Sequence, residues 1–273
     1  MPRSSPDGNP DWIVPQWPAP AHVRAVFTTR AGGVSEGEAF ASLNLGLVPG
    51  DAPSAVQANR SCVARALGAV PAWLSQVHGV HCAVLDATSA AAVPAIEADA
   101  CATLLPGVPC VMRVADCLPV LFTDGAGTVV AAAHAGWRGL AQGVLEHAVG
   151  TLQRLRGASQ GAAHELMAWL GPCIGPQAFE VGPEVREAFL ARDAAAGSCF
   201  APLSGGKWLA DLQALARQRL QAQGITSLHG NDGSPRWCTV SNPSRFFSHR
   251  RDQRVLGGSG RMAACIWRDG TAL

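Results

Sequence analysis

The run Val129-Val130-Ala131-Ala132-Ala133, ending in His134, constrains the fold more than any other stretch. It is apolar at every position, so a strand made from it must be covered on both faces. Thr128 to His134 therefore predicts a buried strand, and Val108 to Ala115 and Val120 to Thr123 are similar β-branched runs. Val23 to Thr28, Cys82 to Asp86 and Met262 to Trp267 read as further strands. Helices are expected to cover them. Gly139 to Leu155 sets Leu140, Val144, Ala148, Leu152 and Leu155 on one face. Pro183 suits a first helical position before Glu184, Val185 and Phe189. Trp208 to Gln223 aligns Leu209, Leu212, Ala216 and Leu220, and Gly224 supplies a C-cap. The expectation is an α/β (α+β) fold, a layered sandwich with mixed β-sheets flanked by helices. Ala87 to Ala98 reads as a loop. No repeat or linker divides the chain, so residues 21–273 are taken as a single domain behind a Pro-rich tail at 1–20. Met1 to Pro10 is expected to fray.

Charge and cysteine usage narrow the function classes. The 273 residues are 48% hydrophobic with a formal charge of +1, which excludes a disordered chain. No basic excess exists to displace counterions from a phosphate backbone, so nucleic acid is not an expected partner. No window reaches the roughly 18 apolar residues of a membrane span, and the N-terminus lacks the apolar core of a signal peptide. The cysteine count is nine, odd, irregularly spaced and without a C-x-x-C pair. That argues against a disulfide framework and for a reducing, cytoplasmic setting. Lys207 is the single lysine among 21 basic residues and lacks the surroundings of a phosphate loop, so any phosphate would rest on arginine or backbone amides.

Three residues fall where chemistry is easily placed. His134 ends the buried strand and precedes Ala135-Gly136-Trp137-Arg138-Gly139, a glycine turn into a helix whose N-terminus favours anions. Cys117 sits between two apolar runs, and His78 lies at a turn in Gln76-Val77-His78-Gly79. Taken singly, each also suits an ordinary packed or hydrogen-bonded role. Together, two imidazoles and one thiolate make a three-ligand set with room for water, the pattern of a catalytic zinc. Their separations of 39 and 17 residues match no zinc finger. The same ligand types also serve blue copper. A multicopper site is harder, since the eight histidines include no H-x-H pair. The H-x-E and P-C-x-x-C signature of zinc deaminases is missing. Cys173, in the Gly/Pro-rich loop Gly171 to Pro176, is either a nucleophile paired with histidine or a packed turn cysteine. Arg30 and the run Ser248-His249-Arg250-Arg251-Asp252 are candidate anion clamps or solvated surface.

An ordered set of short motifs carries a resemblance. It comprises Thr28-Thr29-Arg30 with Gly32-Gly33-Val34-Ser35, Ser42-Leu43-Asn44-Leu45-Gly46, Gln76-Val77-His78-Gly79, and Ala98-Asp99-Ala100. It continues through Ala115-Asp116-Cys117, His134 to Gly139, Gly171-Pro172 to Gly182, and Phe246-Phe247-Ser248 with Arg250-Arg251-Asp252. From about residue 25 to 268 the chain resembles the YfiH family, long labelled multicopper polyphenol oxidase or laccase-domain. Its members are similar to zinc-dependent purine nucleoside phosphorylases. Departures are His249 for a frequent Tyr, Gln177 for a frequent Cys, and Ser259-Gly260-Arg261 for a commoner Thr-Gly-Arg.

The resemblance implies a metal on His78, Cys117 and His134 and a cysteine-hydrolase-like sandwich, like that of a deamidating toxin. By that analogy Cys173 joins Cys117 and His134 as a catalytic candidate. It implies small-molecule nucleosides and phosphate as partners of the single catalytic domain, which is expected to be a monomer or small homo-oligomer. The reaction would be phosphorolysis of adenosine, inosine, guanosine or methylthioadenosine to base and ribose 1-phosphate. Adenosine deamination is the second activity implied, and a metal that lowers the pKa of water suits it. Arg30, Arg138 and Arg250 are the expected phosphate contacts, Asn44 a ribose or base contact, and Asp116 an orienter of a metal ligand. The competing expectations are a copper-dependent phenol oxidase, a metal-holding binding module, and a Cys173 hydrolase.

Overall fold

A computed structural model describes residues 11–157 and 166–270. The strands are β1 (Val23–Phe27), β2 (Cys82–Val84), β3 (Ala100–Thr103), β4 (Cys110–Val114), β5 (Leu118–Asp124), β6 (Val130–Ala135), β7 (Leu166–Leu170), β8 (Glu180–Val181), β9 (Phe200–Pro202), β10 (Trp208–Ala210), β11 (Ser227–Gly230) and β12 (Met262–Arg268). The α-helices are α1 (Pro53–Leu67), α2 (Trp137–Gln142), α3 (Val144–Arg156), α4 (Pro183–Leu190), α5 (Leu212–Ala222) and α6 (His249–Leu256). One sheet runs β11-β7-β5-β6-β3-β2 and mixes parallel with antiparallel pairs; a second runs β1-β12-β4 and is antiparallel; a small third runs β8-β10-β9.

The all-apolar strand is explained by layering. Ala131 and Ala133 of β6, with Val120 and Phe122 of β5, pack on Val144, Ala148 and Leu152 of α3 and Leu215 of α5. Val130, Ala132 and Leu121 face the other way, onto Phe27, Met112, Ala264 and Ile266 of the three-stranded sheet. The outer face of that sheet, Val26, Val111 and Cys265, is covered by Val63 and Leu67 of α1. The order is helix, sheet, sheet, helices. Both faces of the central sheet are dry, which is why alternation is absent from its sequence.

Several boundaries differ from the sequence reading. The helix expected over Gly139 to Leu155 is two helices, because Gly143 adopts φ 109° between α2 and α3. Only glycine tolerates that backbone cheaply. The helix expected from Trp208 begins at Leu212, since Asp211 caps it by accepting from the amide of Ala214, while Trp208 to Ala210 pair as β10. Periodicity ran through a cap that should have stopped it. Trp12 is buried and Ile13 exchanges two backbone hydrogen bonds with Phe27, so this part of the Pro-rich segment packs on β1. Met1 to Pro10 lies outside the described residues.

Candidate metal centre

The two main sheets bring His78, Cys117 and His134 together at one end. His134 is near the end of β6, opposite Pro119 of β5. Cys117 stands immediately before β5, after Asp116, which has φ 84°. His78 lies in the loop before β2 with φ 63°. Their ligand atoms all fall within 4.8 Å of one another, and Cys117 Sγ is 3.8 Å from His78 Nε2. The imidazole rings meet edge to face at 4.8 Å. Gly136 makes the approach possible. A Cβ there would stand 2.9 Å from His78 Cδ2 and 3.0 Å from Cys117 Sγ.

Asp99 organises this cluster from beneath. Its buried carboxylate accepts from His134 Nδ1 at 2.8 Å and from the amides of Val77, His78 and Gly79 at 3.1, 3.0 and 2.7 Å. The first bond occupies Nδ1 and leaves His134 Nε2 as the nitrogen turned toward Cys117. The other three hold His78 in its left-handed conformation. A carboxylate behind a ligating histidine is the arrangement that fixes tautomer and ring orientation at metal sites.

The donor set fits a metal ion. Burial alone would push the Cys117 thiol up, but the charge of His134 and hydrogen bonds from both histidines draw it down to about 6. Burial would lower His134, yet the Cys117 thiolate and Asp99 raise it to about 9. These surroundings favour the thiolate, the form of cysteine that ligates a metal. Zinc bond lengths require thiolate and imidazole ligand atoms about 3.6 Å apart, close to the 3.8 Å found. This is the only cluster able to hold a metal among the described residues.

The cluster faces a cavity of about 360 Å³ lined also by Gly46, Gln76, Arg113, His249 and Arg261. Gln76 fixes Arg113 by exchanging two hydrogen bonds with its backbone, each 3.0 Å.

The other expected site residues have different surroundings. All three guanidinium nitrogens of Arg30 donate to carbonyls, of Ala41, Pro243 and Glu38, and the group stacks on Phe247. Arg30 ties loops together and does not line the cavity. Asn44 is buried; its amide donates to Gly46 and Asp51 and its oxygen accepts from the amides of Gly46 and Arg261. It shapes the cavity wall and has no group left for ribose. Arg138 is exposed on α2 over Trp137, and Arg250 donates to the Glu180 carbonyl. Asp116 touches no ligand side chain. It accepts from Ser248, Thr239 and the amide of Arg250, tying the Cys117 turn to the start of α6. The orienting role belongs to Asp99. Cys173 is buried, bonded to Gln213 and Asn231, and burial pushes its thiol well up. That is the state of a packing cysteine, not of a nucleophile.

Fold and site define a layered α/β chain with one three-residue cluster able to hold a metal among the described residues. The chain belongs to the family described as multi-copper polyphenol oxidoreductase laccase, whose model matches residues 24–269, the same family as the YfiH proteins. It is 49% identical over 257 residues to a purine nucleoside phosphorylase of Pseudomonas aeruginosa, covering 94% of this chain and 98% of that protein. It is 48% identical to the purine nucleoside phosphorylase YfiH of Escherichia coli, covering 93% and 98%. A Neisseria meningitidis crystal structure superposes with TM-score 0.84 at 45% identity, covering 95% of this chain and 100% of that one. YlmD from Geobacillus stearothermophilus gives TM-score 0.79 at 31% identity, covering 91% and 93%.

Proposed function

We propose that this chain is a purine nucleoside phosphorylase working at a zinc ion held by His78, Cys117 and His134. The observation that carries the reading is that cluster, Asp99-braced and opening on a cavity of nucleoside size. The relatives named for this activity supply the reaction class. Zinc would supply Lewis acidity and a lowered pKa for bound water.

The chain's own residues bind and orient. Asp99 holds the His134 imidazole and the His78 backbone, Gln76 holds the Arg113 backbone, and Asn44 holds the backbone of Arg261 and Gly46. In phosphorolysis the C1′–N9 bond breaks with its electron pair going to the base. A phosphate oxygen bonds C1′, and the base takes up a proton. Adenosine, inosine, guanosine and methylthioadenosine are the substrates proposed, with adenosine deamination as a side activity. Nine unpaired cysteines fit a reducing compartment such as the cytoplasm. Among the described residues no helix is long and apolar enough to cross a membrane.

The copper oxidase reading finds less support. His22, His81 and His147 are bonded to backbone carbonyls and His229 to Ser227, and no second metal cluster exists among the described residues. His164 lies outside them.

Chromatography of adenosine and inosine after incubation with zinc-loaded protein tests the reading. Free base that forms only with phosphate is expected. Inosine formed from adenosine regardless of phosphate would make deamination the main activity. Oxygen uptake on a phenol, with no base released, would restore the oxidase. Cys173→Ala is expected to keep metal content and turnover, at a cost of about 1 kcal/mol from a small cavity. Lost turnover with metal retained would return Cys173 to the mechanism.

A further inference from the structure

We propose that Arg113 and Arg261 form the anion site of the cavity and hold the phosphoryl group of the co-substrate beside the metal cluster. The proposal rests on the phosphorylase reading for the identity of the anion, and on geometry for its place. Both side chains are half-buried and line the same cavity as His78, Cys117 and His134. Neither has a carboxylate within ion-pair distance among the described residues. Arg113 spends one nitrogen, Nη2, on the Leu74 carbonyl. Arg261 spends Nη1 on the carbonyls of Ser259 and Gly260. Each guanidinium keeps donors for a ligand.

Two partly desolvated cations with no carboxylate in ion-pair contact are costly unless an anion completes them, and Arg261 feels the charges of Cys117 and Asp116 only through space. Arg60 adds a third positive charge close to Arg113. Burial, with those neighbouring charges, draws Arg113 down to about 10, so it remains a cation at neutral pH. Arginine's planar fork matches phosphate oxygens bidentately. The wall is built to place this group. Asn44 accepts from the Arg261 amide at 2.8 Å, and a Cβ on Gly46 would come within 2.6 Å of Arg261 Cγ. Gly46 is thus the space into which the Arg261 stem packs.

The test is calorimetric titration of inorganic phosphate into zinc-loaded protein without nucleoside. Wild type is expected to bind. Arg261→Gln and Arg113→Lys are each expected to weaken binding about tenfold or more, the worth of a charge-assisted fork. Gly46→Ala, which keeps both charges but displaces the Arg261 stem, is expected to weaken it too, with the thermal midpoint reporting that the variant folds. Arg138→Ala is the competing arm and is expected to bind as wild type does. Affinity lost in Arg138→Ala but kept in folded Arg261→Gln and Arg113→Lys overturns the assignment. So does tight binding of adenosine 5′-monophosphate by a wild type that ignores inorganic phosphate, since the site would then serve a phosphate ester. Arginine-dependent phosphate binding without base release from nucleosides would leave the anion site standing and sink the phosphorylase reading. Base release with phosphate affinity unchanged in Arg261→Gln and Arg113→Lys would do the opposite.

Discussion

Cys117→Ala is expected to lose the metal and all nucleoside turnover while the protein stays folded. Cys117 Sγ is the only sulfur of the cluster and its only anionic ligand. Without it two imidazole nitrogens remain, and zinc affinity should fall by more than the roughly 10–100-fold that loss of an outer partner costs. The fold is expected to stand without the ion. Three core clusters bury the faces of both main sheets, and Cys117 is only partly buried at the rim of one of them. A structural zinc module would behave otherwise, unfolding when the metal is lost. Metal analysis, circular dichroism and the base-release assay together read the outcome. A folded variant with full turnover would remove Cys117 from the reaction. An unfolded one would favour the binding-module reading.

Asp99→Ala is expected to weaken both metal binding and the fold. The side chain is fully buried and receives four hydrogen bonds, three of them from consecutive amides. Its removal leaves the amides of Val77, His78 and Gly79 without their acceptor and frees His78 from φ 63°. Breaking a buried charge pair costs about 3–5 kcal/mol, and loss of a carboxylate behind a ligand costs about 10–100-fold in metal affinity. Asp99→Asn keeps the shape but turns an amide donor toward other donors, so it should rescue only part of each loss. Urea unfolding and competition with a chromophoric chelator measure the two effects. A variant with a wild-type midpoint and affinity would show that His78 and His134 orient themselves.

The cluster of His78, Cys117 and His134 was partly legible, because Cys117 and His134 sit at breaks in apolar runs, His78 sits at a turn, and the family motifs mark the same three residues. Strand ends in layered α/β chains are where side chains converge. What supports the cluster was not. Asp99 bonds backward to amides some twenty positions away, and nothing local in Ala98-Asp99-Ala100 points to them. Arg113 carries a signal of its own: a single charge inside Val111-Met112-Arg113-Val114 must find either solvent or a ligand. Arg30 and Asn44 were misplaced for the reverse reason. Motif position marked them, but their hydrogen-bonding capacity is consumed by backbone and by one carboxylate. The layers followed from apolar runs and amphipathic faces. The break at Gly143 and the cap at Asp211 are local backbone events inside otherwise continuous patterns.

The most direct test of the central claim is X-ray absorption at the metal edge of the purified, zinc-loaded protein, combined with metal stoichiometry. One zinc per chain is expected, with one sulfur neighbour at about 2.3 Å and two imidazole nitrogens at about 2.0–2.1 Å. The sulfur should vanish from the spectrum in Cys117→Ala. Several coppers per chain, or a zinc shell without sulfur, would contradict a single ion held by His78, Cys117 and His134.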